Sequence, residues 1–424
     1  MYRFLLTAAC GLFLTGCGNF SRDMTERAND TSGWISEQLS GTGKAKDPAE
    51  LVEFEPLFKP EKIWSKSLSD GGGRAFPRPV PAYYDDQVTV VTNRRRGLVS
   101  WDYKTHKKLW KTELEDKILG GVGMDEWHVF VATRNADLMA FSRETGELLW
   151  QQQMPSEVLV PPVSNSSVVV VATSDGKLLG LNANDGQQKW MIEHEVPTLS
   201  LRGGSAPLII DDMVVKGFAD GRMTAVDVNN GFETWETSIG LSRGRSELER
   251  MVDADSTPVA ESGVIFGSAY QGRVVAIGQY SGEVLWSRSV SSYSGLTLDL
   301  FNVYLTDEED TIWALDRKTG ATTWKQEALT ARRIGGPVVV DGYVVVADFD
   351  GYLHWMNRDD GTFVARSRPT REATSAPLTV IGNELFLFDH DGKLVILRAS
   401  AEESSEISDD QPSVPAPFWD GFSQ

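Results

Sequence analysis

Two groups of acidic residues have the type of side chain that could hold a cation. One group is Asp307–Asp310, with the sequence DEED, and the other is the pair Asp348 and Asp350. Calcium binds carboxylate oxygens, but neither group has the ligand spacing of an EF-hand loop. Asp350 also precedes Gly351, and this dipeptide is typical of a tight turn. The sequence therefore predicts solvated turns at both places and no metal site.

No arrangement of nucleophile, base or acid that is typical of an enzyme is found along the chain. The five histidines are scattered, and none has the HExxH spacing of a zinc protease. There is no G-x-S-x-G nucleophile elbow and no P-loop glycine pattern. Because the only cysteines are Cys10 and Cys17, the chain beyond them can form neither a disulfide bond nor a thiolate metal site. The sequence predicts no catalytic residue and no cofactor.

A first candidate binding segment is Thr198–Pro207, with the sequence TLSLRGGSAP. It combines two apolar side chains, Leu199 and Leu201, with the guanidinium of Arg202. Apolar anchors beside an arginine suit a protein interface. Taken by itself, the segment favours an ordinary connector over a binding site.

A second candidate segment is Arg250–Pro258, with the sequence RMVDADSTP. Asp253 and Asp255 are two residues apart, so in an extended segment both carboxylates point the same way. Arg202 either pairs with one of these aspartates and holds the surface in shape, or faces the partner.

The segments that must position these residues belong to a sequence repeat. A strand ends in an acid or amide, a tight turn with glycine follows, and a tryptophan comes four residues later. The phrase occurs with a period of about 40 residues, typical of a circular or solenoid repeat. Its clear copies are Phe141–Trp150, Leu181–Trp190, Val226–Trp235, Ile277–Trp286 and Leu315–Trp324. Trp101–Trp110 has His106 in place of the glycine, and Met356–Ala365 has lost the tryptophan.

Each repeat contains four short strand-like pieces joined by turns, which predicts the blade of an all-β propeller. A parallel β-helix is the alternative, but its coils are shorter and lack these hairpin turns. Seven units end between Trp110 and Ala365, and an eighth stops after three strands. The isolated segment Glu61–Leu68 carries Trp64 and can supply the missing fourth strand. The sequence predicts an eight-bladed β-propeller whose last blade is completed by an N-terminal strand.

The repeated tryptophans are predicted to dock neighbouring blades against each other, because a large ring on the outer strand can bury roughly 150–250 Å². Packing is favoured over ligand stacking for all of them. We expect weaker cohesion where the phrase departs from the pattern, at His106 and at Ala365. The predicted docking residues are Trp64, Trp110, Trp150, Trp190, Trp235, Trp286 and Trp324.

The N-terminus has the features of a bacterial lipoprotein signal. An apolar run follows Arg3 and is too short to span a bilayer as a stable helix. It ends in Leu14-Thr15-Gly16-Cys17, which resembles the lipobox. The resemblance implies that the mature chain begins at Cys17 and is lipid-anchored, and Gly18 in place of aspartate implies the periplasmic face of the outer membrane. A plain signal peptide is the alternative.

The chain is thereby divided into four parts. Residues 1–16 are predicted to be the lipoprotein signal peptide, residues 17–60 a lipid-anchored flexible tether, residues 61–400 the propeller and residues 401–424 a disordered acidic tail. The tail contains prolines and no Lys or Arg, a composition that does not build a core. The net charge of −19 argues against a nucleic-acid partner.

The repeat is similar to the tryptophan-docking repeat of quinoprotein dehydrogenases, eight-bladed propellers that use pyrroloquinoline quinone. Together with the lipobox and the chain length, it resembles the BamB family, lipoprotein propellers of the outer-membrane β-barrel assembly machinery. This resemblance implies a scaffold that binds the periplasmic POTRA region of BamA, works beside other assembly lipoproteins and contacts unfolded β-barrel substrates transiently. The family's partner-facing positions fall on Leu199, Leu201, Arg202, Asp253 and Asp255.

Two other functions remain as alternatives to a scaffold. One is a quinone-dependent enzyme, although the vicinal disulfide that many quinoprotein dehydrogenases carry cannot form here because no cysteine follows Cys17. The other is a lipoprotein propeller that binds a cell-wall or polymer ligand in its central channel.

Overall fold

The computed structural model describes residues 47–69, 80–92, 94–197, 204–240, 254, 256–374 and 376–399. These residues form eight sheets, each with four antiparallel strands. The described part of the chain contains no helix, and therefore no helix long and apolar enough to cross a membrane. The prediction of an all-β, eight-bladed propeller is confirmed.

The strands are numbered in chain order, and each blade is given from its first to its fourth strand. Blades 1 to 4 consist of β2 (Ala82–Tyr84), β3 (Gln87–Thr92), β4 (Gly97–Asp102) and β5 (Lys107–Glu113); β6 (Ile118–Met124), β7 (His128–Thr133), β8 (Asp137–Ser142) and β9 (Leu148–Gln153); β10 (Val163–Ser164), β11 (Val168–Ala172), β12 (Lys177–Asn182) and β13 (Gln188–Glu193); and β14 (Leu208–Ile210), β15 (Met213–Gly217), β16 (Arg222–Asp227) and β17 (Glu233–Ser238). Blades 5 to 8 consist of β18 (Val259–Glu261), β19 (Val264–Ser268), β20 (Val274–Gly278) and β21 (Val284–Arg288); β22 (Leu296–Leu298), β23 (Asn302–Thr306), β24 (Ile312–Asp316) and β25 (Thr322–Gln326); β26 (Val338–Val340), β27 (Tyr343–Ala347), β28 (Leu353–Asn357) and β29 (Phe363–Ser367); and β30 (Thr379–Ile381), β31 (Glu384–Phe388), β32 (Lys393–Arg398) and β1 (Glu61–Ser67).

The ring is closed by hydrogen bonds between the two ends of the chain. Strand β1 pairs antiparallel with β32, so that Glu61 lies opposite Arg398 and Ser67 lies opposite Lys393. Blade 8 therefore has three strands from the C-terminal side and one from the N-terminal side. Closure pairs strands that would otherwise present open edges, and it occurs as predicted.

The antiparallel order gives the ring two different faces. The hairpins between first and second strands and between third and fourth strands lie on one face, which we call the turn face. The hairpins between second and third strands and the links from blade to blade lie on the opposite face, the connector face. Backbone bonds join neighbouring loops on each face, such as Arg143 N–H to Trp127 O on the turn face and Ser174 N–H to Glu157 O on the connector face.

The hydrophobic core is divided into clusters that lie between blades. Second strands such as β11, with the sequence VVVVA, are buried along their whole length, as expected for β-branched residues in the middle of a packed sheet. One cluster joins Phe130 and Leu138 of blade 2 to Val171 and Leu179 of blade 3. Because each blade packs on the next, its position is fixed by both neighbours.

Candidate functional site

The predicted partner-binding residues lie outside the described part of the chain. This applies to Leu199, Leu201 and Arg202 in the first connector and to Asp253 and Asp255 in the second. The predicted lipidation residue, Cys17, also lies outside it. The structure does describe Ser205 in the first connector and Ala254 in the second, and these residues show where on the ring each connector is attached.

Both connectors are attached to one hairpin of blade 4, the hairpin between β15 and β16. The Lys216 ammonium is buried and donates hydrogen bonds to Ser205 O at 2.8 Å and to Gly217 O at 2.9 Å. Ser205 lies at the end of the first connector. Ala254, in the second connector, donates its N–H to Phe218 O at 3.2 Å. We call Ser205 and Ala254, the points at which the two connectors are attached, the connector roots. Both roots contact the short stretch from Lys216 to Phe218 of a single hairpin.

Close backbone contact makes this attachment tight. A Cβ atom on Gly217 would lie only 2.3 Å from Ala254 O, so no larger residue fits there without moving the second connector. Sequence reasoning missed Lys216, although a lysine inside the otherwise apolar strand Met213–Gly217 is the signal that could have found it. A buried ammonium requires hydrogen-bond acceptors, and here two carbonyl oxygens supply them.

Charged and aromatic groups surround the same hairpin. The His194 ring stacks on Phe218 with a centroid distance of 3.7 Å, and its Nδ1 lies 3.8 Å from Asp220 and 3.9 Å from Glu236. Burial opposes the charge on Asp220, but the nearby His194 and the hydrogen bond from the Arg222 backbone N–H outweigh it and lower the pKa of this carboxyl. The connector face at blades 3 and 4 therefore keeps the Asp220 carboxylate ionised beside these attachment points.

The tryptophans of the repeat contact the following blade in one recurring geometry. Each indole Nε1–H donates to a backbone carbonyl of the next blade at 2.7–2.9 Å. Each ring lies on the turn glycine of that blade, where a Cβ would be only 2.5–2.8 Å from a tryptophan atom. The donor–acceptor pairs are Trp110–Arg143, Trp150–Ala183, Trp190–Val228, Trp235–Gln279, Trp286–Arg317 and Trp324–Arg358.

The junction between blades 8 and 1 uses a different contact. Trp64 stacks on the His106 ring with a centroid distance of 4.8 Å and an interplanar angle of 7°. His106 takes the position of the turn glycine and also its positive backbone angle, with φ of 62°. Sequence analysis predicted weaker cohesion at His106, whereas the structure places a ring stack there.

Blade 7 reverses a pairing that the other blades share. In six blades the tryptophan of the fourth strand lies opposite a small residue of the third strand, as Trp324 lies opposite Ala314. In blade 7 the small residue is Ala365 and the tryptophan is Trp355, which is fully buried. The ring volume is kept inside the blade, and the exchange accounts for the missing tryptophan of the repeat.

The acidic groups considered as cation ligands serve as turn and ion-pair partners. Asp307 Oδ1 accepts the N–H groups of Glu309 and Thr311, and Asp310 accepts those of Arg333 and Ile334. Burial raises the pKa of Asp310 to about 6. Across the residues that the structure describes, no three or more His, Cys, Asp or Glu side chains are grouped so that they could hold a metal ion.

Comparison with known proteins agrees with the fold and with the repeat. The family model described as outer membrane protein assembly factor BamB matches residues 104–326. A Pseudomonas aeruginosa protein of the same description is 45% identical over 356 residues, which are 84% of this chain and 93% of the relative. The crystal structure of BamB from Moraxella catarrhalis matches with a TM-score of 0.73 and 28% identity, covering 80% of this chain and 99% of that one.

The propeller is also shared with an enzyme. Quinohemoprotein alcohol dehydrogenase from Comamonas testosteroni matches with a TM-score of 0.63 over 87% of this chain and 84% of that one, at 10% identity. A likeness at this identity shows the fold alone. The BamB relatives are similar in sequence over most of their length, and they confirm the resemblance found in the sequence. The chain belongs to the BamB family of outer membrane protein assembly factors.

Proposed function

We propose that this protein is a non-catalytic scaffold subunit of the outer-membrane β-barrel assembly machinery. Its family supports this function over a quinone-dependent enzyme and over a receptor for a cell-wall polymer. The scaffold binds the periplasmic POTRA region of BamA and aids the folding and insertion of β-barrel proteins. Other assembly lipoproteins and transient contacts with unfolded barrels complete its proposed set of partners.

The observation that carries the proposal is the common root of the two connectors at the hairpin between β15 and β16. Lys216 holds the end of the first connector and Phe218 O holds the second. A shared root lets two loops that are distant in sequence present one surface. We assign the partner contacts to Leu199, Leu201, Arg202, Asp253 and Asp255.

Binding of the purified chain to the periplasmic region of BamA tests this assignment. We expect Arg202→Ala to weaken binding at least tenfold, because truncation of an interface anchor commonly costs about 2 kcal/mol. The double variant Leu201→Ala and Asp255→Ala should weaken binding more strongly, because it removes two anchors. Arg371→Ala is the matched control, since Arg371 is an exposed arginine on the connector between blades 7 and 8. If the double variant binds BamA with unchanged affinity, the interface does not lie on these connectors.

A test of Lys216 separates the root from the contact surface. Lys216→Met keeps an unbranched side chain of similar length and removes the hydrogen bonds to Ser205 O and Gly217 O. We expect weaker binding to BamA with little change in the unfolding of the other blades. If binding stays unchanged while Arg202→Ala is still defective, the shared root does not organise the surface.

Attachment to the membrane follows from Cys17 in this proposal. Lipid on its sulfur and amino group provides several acyl chains, which give stable anchoring where one chain gives only marginal binding. We expect Cys17→Ala to abolish labelling by palmitate and to remove the protein from the outer membrane. Fractionation of cells after metabolic labelling with palmitate measures both effects, and label that persists in Cys17→Ala would contradict the assignment.

We propose no reaction for the central channel. A quinone site would show itself as a new absorbance band and a gain of dehydrogenase activity during titration with pyrroloquinoline quinone. We expect neither during that titration. A saturable band would support the enzyme alternative.

A further inference from the structure

Residues 49–58 lie along the outer strand of blade 7, although the tether was predicted to extend to residue 60. We call residues 49–58 the strap. Leu57 N–H donates to Val364 O at 2.8 Å, and the Phe54 ring stacks on Phe363 at a centroid distance of 5.7 Å. These contacts fall within residues 17–60, the range predicted to be a flexible tether.

The strap packs where blade 7 lacks the tryptophan of the repeat. The Phe58 ring meets Trp355 edge to face at 5.7 Å and Tyr343 at 4.8 Å. It joins the cluster that Trp355 and Ala365 form with blade 8. An aromatic residue from the strap therefore fills space at the one blade whose own outer strand carries alanine.

A buried arginine holds the beginning of the strap. Arg332 donates from Nη1 to Ala49 O at 3.0 Å, while its Nε and Nη2 donate to Asp348 Oδ2 at 2.9 and 2.7 Å. Ala49 in turn donates its N–H to Thr330 O at 3.0 Å. Arg332 is only 5% exposed and Asp348 only 2%. The two bonds to Asp348 therefore hold the guanidinium in the position from which it donates to the strap.

A second arginine holds the middle of the strap through the same buried acid. Asp348 Oδ2 accepts a hydrogen bond from His354 Nε2 at 3.0 Å, and His354 Nδ1 accepts one from Arg366 Nε at 3.2 Å. Arg366 Nη1 donates to Val52 O at 2.9 Å. Burial lowers the pKa of His354 in spite of the nearby carboxylate, which keeps the imidazole in the neutral form that accepts this bond.

The direction of the strap has a consequence for the whole ring. Ala49 contacts the link between blades 6 and 7, on the connector face, whereas Phe58 lies beside the hairpin of Tyr343, on the turn face. Strand β1 begins on the turn face, because Glu61 pairs with Arg398 at the end of β32. Without the strap the chain would leave the ring from the turn face.

We propose that the strap is an intramolecular binding segment that brings the N-terminal chain back to the connector face. The tether then leaves the ring on the same face as the attachment points of the two candidate connectors, about three blades further round the ring. Its importance for orienting the propeller at a membrane rests on the proposed lipid anchor, whereas the binding of the strap does not. The outer edge of blade 7 is also closed to strand addition by other chains.

Distance measurement between spin labels tests the path of the chain. Every cysteine lies at or before Cys17, so a full chain with Cys10→Ala and Cys17→Ala accepts labels only at introduced cysteines. We place one label at Asp47→Cys and the second at Asp391→Cys on the connector face or at Asp359→Cys on the turn face. We expect a narrow distance distribution for both pairs, shorter for the pair with Asp391→Cys. A broad distribution for both would overturn the proposal.

Hydrogen exchange tests the role of the arginine contacts. Arg366→Met removes the bond to Val52 O and the contact with Phe54, and we expect exchange of the Leu57 amide to rise at least tenfold. Arg368→Met is the matched control, because Arg368 is exposed and bonds to Asp350 O rather than to the strap. Slow exchange in β27 and β28 must persist, which separates release of the strap from unfolding of blade 7.

The two proposals fail separately. Unprotected strap amides in the unmutated chain, or equal protection in Arg366→Met, would overturn the strap while leaving binding to BamA untouched. Conversely, if the chain shows the expected distances but does not bind BamA, the strap proposal stands and the proposed function is wrong.

Discussion

Six junctions of the ring and the two junctions of blade 8 are built in different ways. At the six, a tryptophan ring lies on the turn glycine of the next blade and donates to a carbonyl oxygen there. At the junction of blades 7 and 8 the tryptophan is absent, and at the junction of blades 8 and 1 it stacks on His106.

The position of the chain ends explains the difference. The third and fourth strands of blade 8 come from opposite ends of the chain, so no turn with glycine joins them. A tryptophan at position 365 would therefore have no glycine to lie on. Blade 7 instead keeps its indole inside the blade at Trp355 and receives Phe58 from the strap. A repeat departs from its pattern where the neighbouring unit lacks the docking feature.

The largest effect that this comparison predicts is the loss of a docking tryptophan at one of the six junctions. We expect Trp235→Ala to lower the free energy of unfolding by about 3–5 kcal/mol, because a buried ring is replaced by a cavity. Trp64→Ala should cost less, since Trp64 is only half-buried. Denaturant unfolding followed by circular dichroism measures both changes in the free energy of unfolding. Equal changes in the two variants would show that the two kinds of junction contribute equally to stability.

The turn glycine should have the next largest effect. Gly320 and Gly263 both have positive φ, 69° and 77°, but a Cβ on Gly320 would lie 2.6 Å from the Trp286 ring while Gly263 has open space. We expect Gly263→Ala to cost about 1 kcal/mol for the backbone alone. Gly320→Ala should cost about 1–3 kcal/mol more through overpacking. The same denaturation assay compares them, and a similar cost for both would show that the docking contact adds little.

Restoring the repeat in blade 7 should destabilise the protein. Ala365→Trp recreates the missing tryptophan, but Trp355 already occupies the space opposite it. We expect a loss of about 1–3 kcal/mol from overpacking. The exchange Trp355→Ala with Ala365→Trp should not recover the stability, because blade 8 offers no turn glycine. A melting temperature above that of the unmutated chain, in either variant, would contradict this explanation.

The smallest effect is expected at the ring-closing junction. His106→Gly removes the stack on Trp64 but also relieves the cost of a positive φ for a residue with a Cβ. These two changes oppose each other, so the free energy of unfolding should change by less than about 1 kcal/mol. Gly320→His is the reverse change at a regular junction and should be strongly destabilising. A large loss in His106→Gly would mean that the stack is the main closure contact.

The blades of this protein depend on local sequence, whereas its loop attachments depend on the closed ring. The phrase with its turn glycine and tryptophan was sufficient to predict blades, because hairpin turns and strand alternation depend on residues close together in the chain. Counting the units predicted eight blades and the closing role of the N-terminal strand, which is confirmed. The reversed pair of Trp355 and Ala365 was also present in the sequence, ten residues apart like the small residue and tryptophan of the other blades.

Only the tertiary structure decided which distant segments meet. Lys216 reaches Ser205, and Phe218 reaches Ala254, because the ring curves the two connectors towards one hairpin. The strap has no periodic pattern, since Arg332 of the link between blades 6 and 7 and Arg366 of blade 7 hold it by its backbone carbonyl oxygens, which every sequence has. Local hydrogen-bond geometry is encoded in the order of residues. Contacts between loops and side chains far apart in the chain depend on the closed shape of the ring, and no spacing along the chain records that shape.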